Sequence, residues 1–466
     1  MLTREELRVA LQDRGLSQVW LPAEQIGPDA VNRLEADLLQ IDWELFDRQL
    51  KALRPSEDPV LPEIAPPTLV NPSKHDGSQE QQSARESGEA ALREGGVAIL
   101  TVAGGQASRL GFDGPKGAFP LGNISGASLF QIMAGQIRRM RELYACSLPW
   151  IIQTGPGNHA ETMTFFEKRN HFGLGASSVS FVCQGTLPAL SPQGQLLLTA
   201  PDKLFCNPDG HGGVYRAMKM SGTLAELRKL GVHTLFYCQV DNPLAWIGDP
   251  VFLGHHLLQE ARMSVKVVEK TEPTEKVGLV VADGDRNTCV EYTDLPAENQ
   301  AERVADGGLK FRAGNIAIHA FSVDFMEEMA EANLPLHLAH KEIPCLSSDG
   351  FTSVPRAGVK FEFFVFDALP LARKSVVQLA LRDEEFAPVK NRLGVDSIKT
   401  SREALTARSR SWIELAQASS PSTLASGVVE LESGLCLGPA DLAARNQSIE
   451  WFCNNQILGL KRQLGG

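Results

Sequence analysis

The sequence predicts an α/β fold in which a sheet is covered by helices. Between residues 97 and 380, short apolar segments typical of buried strands alternate with amphipathic segments typical of helices. Such alternation builds largely parallel sheets with helices on both faces. Helical patterns precede this region, and mixed patterns follow it. We therefore expect an N-terminal helical region with a proline-rich linker (1–94), a central domain (95–391) and a small C-terminal α+β domain (392–466).

The N-terminal region begins with a helix start signal, because Thr3 and Glu6 have the spacing of a capping box. Apolar residues at helical spacing predict one long helix over 31–53. A run of prolines follows and excludes a helix there. The polar stretch 71–86 is typical of an exposed connection or arm, and a charged helix over roughly 81–94 leads into the first strand.

The central region supplies the strongest strand and helix patterns. Strands are predicted at 97–102, 150–154, 178–183, 233–240 and 264–269. Helices are predicted at 128–143, 160–170, 224–230 and 251–260. Ligands of such sheets bind at the carboxyl ends of strands, where the segment after residue 102 and Asp241 both lie. In the tail, we expect a helix at 401–418, a β-like piece at 428–437 and an amphipathic helix at 440–461.

Charge and composition exclude several classes of function. The chain has 466 residues and a net charge of −11 at pH 7, which argues against general binding to nucleic acid or anionic membranes. No signal-peptide pattern and no apolar run long enough to span a bilayer is present. The eight cysteines form no C-x-x-C pair, so neither a zinc site nor a disulfide framework is indicated. We expect a cytoplasmic protein.

The first central strand runs into a glycine-rich turn at 103–117 that contains Arg109 and Lys116. Glycines let backbone N–H groups approach an anion, and the two cations add positive charge, which suits the phosphates of a nucleoside triphosphate. Lys116 is followed by Gly117 rather than Ser or Thr, so the turn is not a P-loop. No G-x-G-x-x-G occurs, which excludes a dinucleotide fingerprint. On spacing alone, a tight turn with solvated charges is the alternative.

The turn resembles the signature loop of UDP-sugar pyrophosphorylases, through Ala103 to Gly111 and Pro115 to Gly117. Gln106, after the glycine pair, most resembles the eukaryotic-type UDP-N-acetylhexosamine pyrophosphorylases. Further resembling segments follow in the family's order at 184–189, 208–217, 240–242, 266–278, 314–317, 364–367 and 386–391. Each is weak alone, but their shared order over residues 97–391 makes the resemblance specific.

The resemblance implies a Rossmann-like nucleotidyltransferase fold of the GT-A type, with a mixed sheet flanked by helices. It also implies a Mg²⁺-dependent reaction. UTP and N-acetylglucosamine 1-phosphate, or a related sugar 1-phosphate, give a UDP-sugar and pyrophosphate by direct in-line attack on the α-phosphate. Such chemistry needs positioning and charge neutralisation. The alternatives are a broad-specificity UDP-sugar or UDP-glucose pyrophosphorylase and a non-catalytic nucleotide-sugar-binding protein.

The same resemblance implies the residues of the UTP site. Their contacts are Ala103, Gly104, Gly105, Gln106, Gln184, Gly210, Asp241 and Lys360, and the catalytic cations are Arg109, Lys116 and Lys390. Gln184 and Gly210 are expected at the uracil, and Asp241 at Mg²⁺, which favours one or two carboxylates with phosphate oxygens. From the residues alone, a turn cap is the alternative for Asp241, and a surface position is the alternative for Lys360 and Lys390.

The implied sugar site comprises His211, Gly278, Glu291, Asn315, Phe364 and Phe366. Glu291 and Asn315 are expected to hydrogen-bond sugar hydroxyls, although Glu291 is also typical of a solvated strand residue. Phe364 and Phe366 alternate on one predicted strand face, as core residues or as a wall for the N-acetyl group. His211 replaces the asparagine of the family, which leaves the preferred sugar open.

Overall fold

A computed structural model describes residues 3–54, 64–70, 77–347, 350–416, 428–445, 449–452 and 457–460. Contacts group the chain into two compact units. The first unit contains Met1–Leu61, Gln184–Val214 and Asn333–Asp367. The second unit contains Pro62–Cys183, Tyr215–Ala332 and Ala368–Gly466. Each unit is assembled from separate parts of the sequence, and the consecutive domains 1–94, 95–391 and 392–466 stay predictions.

Four α-helices come first among the described residues: α1 (Arg4–Asp13), α2 (Leu21–Ile26), α3 (Pro28–Leu38) and α4 (Trp43–Ala52). The predicted capping box is present in α1, because Glu6 N donates to Thr3 Oγ1 at 3.3 Å and Thr3 N donates to Glu6 Oε2 at 2.7 Å. The single helix predicted over 31–53 is wrong. Asp42 accepts a hydrogen bond from Leu45 N at 3.1 Å and starts α4 as a separate helix.

Strands and helices alternate after residue 64. Up to residue 183 they are β1 (Ile64–Ala65), β2 (Leu69–Val70), α5 (Gln79–Arg93), β3 (Val97–Val102), α6 (Leu129–Tyr144), β4 (Trp150–Thr154), α7 (His159–Glu167) and β5 (Val179–Cys183). Then follow β6 (Thr186–Pro188), β7 (Leu198–Ala200), β8 (Lys203–Leu204), β9 (Cys206–Pro208), α8 (Val214–Met220), α9 (Thr223–Lys229), β10 (Thr234–Gln239), α10 (Pro250–Leu258), β11 (Met263–Glu269), β12 (Leu279–Asp283), β13 (Arg286–Val290), α11 (Ala297–Ala301), β14 (Ala313–Ser322) and α12 (Val323–Glu331). The remaining elements are β15 (His337–Leu346), β16 (Ser353–Glu362), β17 (Ser375–Leu379), α13 (Arg382–Glu385), α14 (Ile398–Leu415), β18 (Glu430–Leu431), α15 (Pro439–Ala444), β19 (Ile449–Phe452) and β20 (Ile457–Leu460).

An eleven-stranded mixed sheet forms the centre of the second unit, and its main path runs β2-β17-β11-β14-β10-β3-β4-β5. β14 is antiparallel to both β10 and β11, whereas the other neighbours on this path are parallel. The mixed α/β fold that the resemblance implied is confirmed. The largely parallel sheet expected from alternation needs correction, because the β12–β13 hairpin returns the chain to the carboxyl end of β11 and β14 therefore runs backwards.

The core of the second unit lies between this sheet and its helices. Ile99 of β3, Phe130 of α6, Trp150 of β4, Phe236 of β10 and Phe252 of α10 are fully buried in one cluster. Central strands that are covered on both faces read as continuous apolar runs rather than alternating ones. This is why 97–102 and 233–240 could be recognised as strands from the sequence.

The first unit combines α1 to α4 with three antiparallel strand pairs, β15–β16, β6–β9 and β7–β8. Leu7, Leu34 and Phe46 from the helices share a buried cluster with Leu190 and Phe361. Phe361 lies near the end of β16, so this core supports the segment that follows the strand.

The C-terminal part is helical first and then strand-rich. The helix predicted at 401–418 is observed as α14, and β18 lies within the predicted β-like piece. The final helix predicted at 440–461 is wrong, because α15 is followed by β19 and β20, which form a three-stranded sheet with β18. Short apolar segments fit helix and strand periods alike. In the predicted polar arm, 71–76 lie outside the described residues, and Ser78 caps α5.

Candidate active site

The predicted site residues are divided between the two units. The first unit holds Gln184, Gly210, His211, Lys360, Phe364 and Phe366. The second unit holds Ala103, Gly104, Gly105, Gln106, Arg109, Lys116, Asp241, Gly278, Glu291, Asn315 and Lys390.

The glycine-rich turn leaves β3 and folds back on itself. Lys116 N donates to Gly105 O at 3.1 Å. The half of the turn that carries Lys116 therefore lies next to the half that carries the glycine pair. Gln106 Nε2 donates to Gly157 O at 3.0 Å. Ala103 is buried at the base of the turn, while Gly105 and Gln106 are exposed. The exposed backbone of Gly105 and Gln106 therefore lies close to the Lys116 segment, and anion binding requires such proximity of backbone N–H groups and a cation.

Asn158, to which sequence reasoning gave no role, fixes the shape of this turn. Its Nδ2 donates to Ala103 O at 2.9 Å and to Gly105 O at 3.1 Å, and its Oδ1 accepts from Gly155 N at 2.9 Å. A Cβ on Gly155 would lie 2.8 Å from Gly104 O, so a side chain there would push the turn away. The signal in the sequence was the Gly-Pro-Gly-Asn segment directly after the neighbouring parallel strand β4.

Lys116 and Asp241 meet at the carboxyl edge of the sheet. β3 and β10 are adjacent and parallel, so the turn after one and Asp241 after the other lie side by side. Lys116 Nζ is 3.3 Å from Asp241 Oδ2, and the side chains are only 20% and 12% exposed. A shielded cation and carboxylate beside the exposed backbone of Gly105 and Gln106 are suited to phosphates and a divalent cation.

Lys390 belongs to the same part of the second unit. Its neighbour Val389 donates its N–H to Asp241 O at 2.8 Å, and Lys390 Nζ pairs with Asp396 Oδ2 at 3.3 Å. The lysine is half-exposed.

Arg109 lies exposed on a short 3₁₀ turn and forms no ion pair with the described residues. The structure therefore brings Lys116, Asp241 and the Lys390 segment together and leaves Arg109 at the surface.

Gly278, Glu291 and Asn315 are neighbours at the start of β14. Asn315 N donates to Gly278 O at 2.8 Å, and a Cβ on Gly278 would lie 3.6 Å from Glu291 Oε1. The β11–β14 register shifts at this point, and Ala317 has a φ of +55°. Asn315 Oδ1 accepts from Ala317 N at 2.9 Å. Bulges of this kind re-aim side chains next to functional sites.

The aromatic candidates of the first unit form one cluster around Phe364. Its ring stacks on His211 with a centroid separation of 5.1 Å and on His337 at 3.9 Å, and Phe366 lies 5.7 Å from His211. Gly210 has a φ of +86°, and a Cβ there would lie 2.5 Å from Phe363 O, so only glycine fits beside this segment.

The strand predicted for Phe364 and Phe366 needs correction. β16 ends at Glu362, and a 3₁₀ segment, Val365–Leu371, follows. The turn forms because Phe363 N donates to Asp209 O at 2.7 Å, which ends the strand ladder. Phe366 is buried and Phe364 half-buried.

Lys360 and Gln184 have different surroundings in the first unit. Lys360 on β16 places its Nζ 5.2 Å from the ring centre of Phe205, and its side chain is half-buried. Gln184 directly follows β5 and is buried. An accessible lysine and a buried amide are compatible with phosphate and uracil contacts respectively.

His211 is a neutral donor near neutral pH. Val365 N donates to its Nδ1 at 3.0 Å, which requires that nitrogen to be unprotonated. Burial, together with the neighbouring His337, lowers the pKa of His211 to about 4. His337 Nε2 in turn lies 2.8 Å from Asp367 Oδ2. The proton of His211 therefore resides on Nε2, which has no hydrogen-bond partner among the described residues.

Lys270 is a second residue that sequence reasoning missed. It follows β11 at the carboxyl edge of the sheet, is only 4% exposed, and its Nζ has no hydrogen-bond partner in the described part of the chain. Burial lowers its pKa. A buried ammonium group without a partner is costly unless an anion compensates it. Lys270 lay inside the resembling run 266–278, but burial could not be read from that run.

Comparisons with known proteins show which family the chain is similar to. A family model described as UTP–glucose-1-phosphate uridylyltransferase matches residues 61–419. The chain is 34% identical over 403 residues to UDP-N-acetylglucosamine diphosphorylase 2 of Arabidopsis thaliana, covering 82% of this chain and 79% of that protein. It is 36% identical over 340 residues to the UDP-N-acetylglucosamine pyrophosphorylase of Saccharomyces cerevisiae, with 70% and 71% covered.

Among solved structures, the chain is similar to the uridine diphosphate N-acetylglucosamine pyrophosphorylase of Trypanosoma brucei in complex with an inhibitor. The TM-score is 0.81 at 25% identity, with 99% of each chain covered. The resemblance to UDP-sugar pyrophosphorylases and the nucleotidyltransferase fold are thereby confirmed, as is the expectation of an enzyme that transfers a uridylyl group from UTP to a sugar 1-phosphate. The chain therefore belongs to the UTP–glucose-1-phosphate uridylyltransferase family.

Proposed function

We propose that this chain converts UTP and N-acetylglucosamine 1-phosphate into UDP-N-acetylglucosamine and pyrophosphate. The contact between Lys116 and Asp241 beside the glycine-rich turn supports this most, because it joins a cation and a carboxylate at a backbone suited to phosphates. The names of the relatives from Arabidopsis thaliana and Saccharomyces cerevisiae support N-acetylglucosamine as the sugar.

The proposed reaction is a direct displacement at the α-phosphorus of UTP. An oxygen of the sugar phosphate attacks in line with the bond to the bridging oxygen. The new P–O bond forms as that bond breaks, and pyrophosphate leaves with its electron pair. No protein nucleophile takes part, so the protein contributes positioning and charge neutralisation.

We assign the cations to successive parts of the triphosphate. Arg109 faces the β- and γ-phosphates, and Lys116 neutralises the α-phosphate or the departing pyrophosphate. Lys390 and Lys360 hold the phosphate groups, and Lys270 adds a buried ammonium that an anion would stabilise. The backbone of the turn holds the uridine and phosphates.

Mg²⁺ is the metal that we propose, with Asp241 as its protein ligand. Mg²⁺ at such sites is held by one or two carboxylates together with substrate phosphates and water. Among the described residues, no group of three or more His, Cys, Asp or Glu side chains is arranged to hold a metal ion. One carboxylate with phosphate oxygens is therefore the donor set that fits. When bound, the ion would neutralise charge on the phosphates.

Uracil recognition is assigned to Gln184 and Gly210, and sugar recognition to two groups. In the second unit these are Gly278, Glu291 and Asn315, whose proximity supports a shared role. In the first unit they are His211, Phe364 and Phe366. A broad-specificity UDP-sugar or UDP-glucose pyrophosphorylase is the second candidate, because His211 replaces an asparagine of the resembling family.

We propose the cytoplasm as the location and small molecules, not nucleic acid or membranes, as the partners. The charge of −11 supports this. No disulfide joins the cysteines in the described part of the chain. Along that same part, none of the helices has the length and apolar character needed to cross a membrane.

Pyrophosphate release from UTP, Mg²⁺ and a panel of sugar 1-phosphates tests the proposal. We expect the highest kcat/KM with N-acetylglucosamine 1-phosphate. Comparable values with glucose 1-phosphate would instead establish the broad-specificity enzyme. Binding of UTP without pyrophosphate release for any sugar would contradict the proposal and favour a non-catalytic binding protein.

A further inference from the structure

A charged cluster lies inside the second unit, apart from the residues assigned above. Lys266 of β11 is fully buried, and its Nζ lies 2.7 Å from Asp249 Oδ2 and 2.6 Å from Glu385 Oε2. Asp249 caps α10, and Glu385 is the last residue of α13. Both carboxylates are buried as well. One ammonium group therefore ties two other elements to a central strand of the sheet.

A buried ionic cluster contributes little net stability to a core, because its groups must be removed from water. Burial opposes the charged form of Lys266, but Asp249 and Glu385 outweigh it and raise the pKa of the lysine. The interior thus holds an ammonium group between two carboxyl groups. Replacing buried ion pairs by well-packed apolar residues is often neutral or stabilising, because desolvation offsets the attraction. The cluster fixes the positions of the two carboxylates through directional contacts with Lys266. Apolar packing would not fix them in this way.

The segment that begins at Glu385 docks on the turn that contains Asp241. Glu385 O accepts from Asn242 Nδ2 at 2.7 Å, and Asn242 Oδ1 accepts from Ala387 N at 3.2 Å. Val389 N then donates to Asp241 O at 2.8 Å. The next residue in the chain is Lys390. An unbroken series of contacts therefore runs from the ammonium of Lys266 to the backbone that presents Lys390 beside Asp241.

We propose that Lys266 is a positioning residue for the reaction. It holds Glu385 and so fixes the 385–389 segment on the Asp241–Asn242 turn, which sets the place of Lys390 relative to Asp241. This inference rests on the proposed function, in which Lys390 holds substrate phosphate. Lys266 itself touches no substrate, because its side chain is fully buried. A displacement of about 1 Å at such a group can cost about 10²-fold in rate.

The test uses a charge-neutral variant, Lys266→Met/Asp249→Asn/Glu385→Gln, which avoids leaving unpaired carboxylates in the core. We expect it to fold and to lower kcat by up to about 10²-fold, the scale of a catalytic group displaced by about 1 Å. Glu385→Gln alone keeps the shape of the side chain and an amide oxygen that accepts from Lys266 Nζ, and is expected to give a smaller loss in the same direction. It remains informative if the triple variant does not fold.

A double-mutant cycle with Lys390→Ala separates positioning from general weakening. If Lys266 acts through Lys390, the cluster variant lowers kcat/KM in the normal protein but adds little in the Lys390→Ala protein. Asp441→Asn is the matched control. It breaks the shielded pair of Asp441 with Arg139, in which Arg139 Nε donates to Asp441 Oδ2 at 2.9 Å. We expect it to lower the melting temperature without changing kcat.

The outcomes are distinct. An inactive unmodified protein would contradict the proposed function itself. An active protein whose cluster variants keep normal kcat would overturn the positioning role while leaving the proposed function intact. Losses that are fully additive with Lys390→Ala would also overturn the positioning role, since they would show that the effect of the cluster does not pass through Lys390.

Discussion

Lys116 is the side chain on which the proposed chemistry depends most directly. Its ammonium group contacts Asp241 beside the turn and is shielded from water. Solvent ions therefore screen its electrostatic attraction for a bound phosphate only weakly. We predict that Lys116→Ala lowers turnover by about 10²-fold or more, the scale for loss of one electrostatic stabiliser. Pyrophosphate release under saturating UTP measures this.

The matched control for Lys116→Ala is Lys399→Ala. Lys399 is an exposed lysine of α14 that pairs only loosely with Glu403, at 3.8 Å. Its removal is expected to leave turnover unchanged. Equal rates for Lys116→Ala and the unmodified protein would remove Lys116 from the mechanism.

His211 is the residue at which sugar preference is expected to be set. Its Nδ1 is occupied by Val365 N–H, so the ring offers a single donor, whereas an asparagine offers both a donor and an acceptor. We predict that His211→Asn changes the ratio of kcat/KM between N-acetylglucosamine 1-phosphate and other sugar 1-phosphates by about 3- to 10-fold, the worth of one hydrogen bond. An unchanged ranking would show that His211 does not set specificity.

The same histidine links stability to pH. In the folded chain the pKa of His211 is lowered from 6.5 to about 4, so between these values the unfolded chain binds more protons. Its contribution to stability is therefore complete above about pH 6.5 and is lost as pH falls through about 4. We predict that the free energy of unfolding falls more steeply over this range in the unmodified protein than in His211→Asn.

Chemical denaturation at several pH values measures this difference. His340→Asn, which changes an exposed histidine of β15, is the control and should follow the unmodified protein. Parallel curves for the unmodified protein and His211→Asn would contradict the burial-driven shift.

Among individual residues, Asp241 and Lys116 could be placed from the sequence at the carboxyl edge of the sheet, because each follows a predicted strand. It could not identify Asn158 or Lys270. The role of Asn158 comes from side-chain contacts with a distant backbone, and that of Lys270 from burial of a charge. Both depend on tertiary packing rather than on a local pattern.

The turn after β3 is the element whose shape matters most. Asn158 holds two of its carbonyls, and removal of that side chain would leave the buried acceptor Ala103 O without this donor at a cost of about 1–3 kcal/mol, whereas Gly105 O still accepts from Lys116 N. We predict that Asn158→Ala lowers the free energy of unfolding and raises the KM for UTP several-fold, since the turn loses its side-chain contacts to Ala103 O and Gly105 O.

Thermal unfolding and UTP saturation curves check this prediction. Thr164→Ala on α7 is the control, because Thr164 Oγ1 only donates within its own helix, to Ala160 O at 2.9 Å. A normal KM for UTP in Asn158→Ala would show that the turn keeps its shape without this side chain.

Elements with one strong period could be predicted, and those with competing signals could not. β3 and β10 were recognisable as buried apolar runs. The helix predicted over 31–53 divides because Asp42 caps a new helix inside an otherwise helical pattern. The strand predicted for Phe364 and Phe366 ends early because Phe363 N bonds to Asp209 O. In each case a polar contact overrides the apolar period.

At the scale of the whole molecule, two units each contribute candidate residues. The first unit is assembled from three separate parts of the chain, a grouping that long-range contacts create and that no boundary signal in the sequence reveals. The resembling segments nevertheless kept the family's order, because the order of motifs belongs to the chain and not to its packing. This explains why the class of reaction could be predicted while the grouping of the residues could not.

In the proposed reaction uridylyl transfer is direct, and the protein only positions the substrates and neutralises the charge of their phosphates. Single-turnover mixing of excess protein with UTP, Mg²⁺ and N-acetylglucosamine 1-phosphate tests it, with products and intact protein followed by mass spectrometry. We predict that UDP-N-acetylglucosamine and pyrophosphate appear in equal amounts while the protein mass stays constant. Accumulation of a uridylylated protein, or bound UTP that stays unchanged, would contradict it.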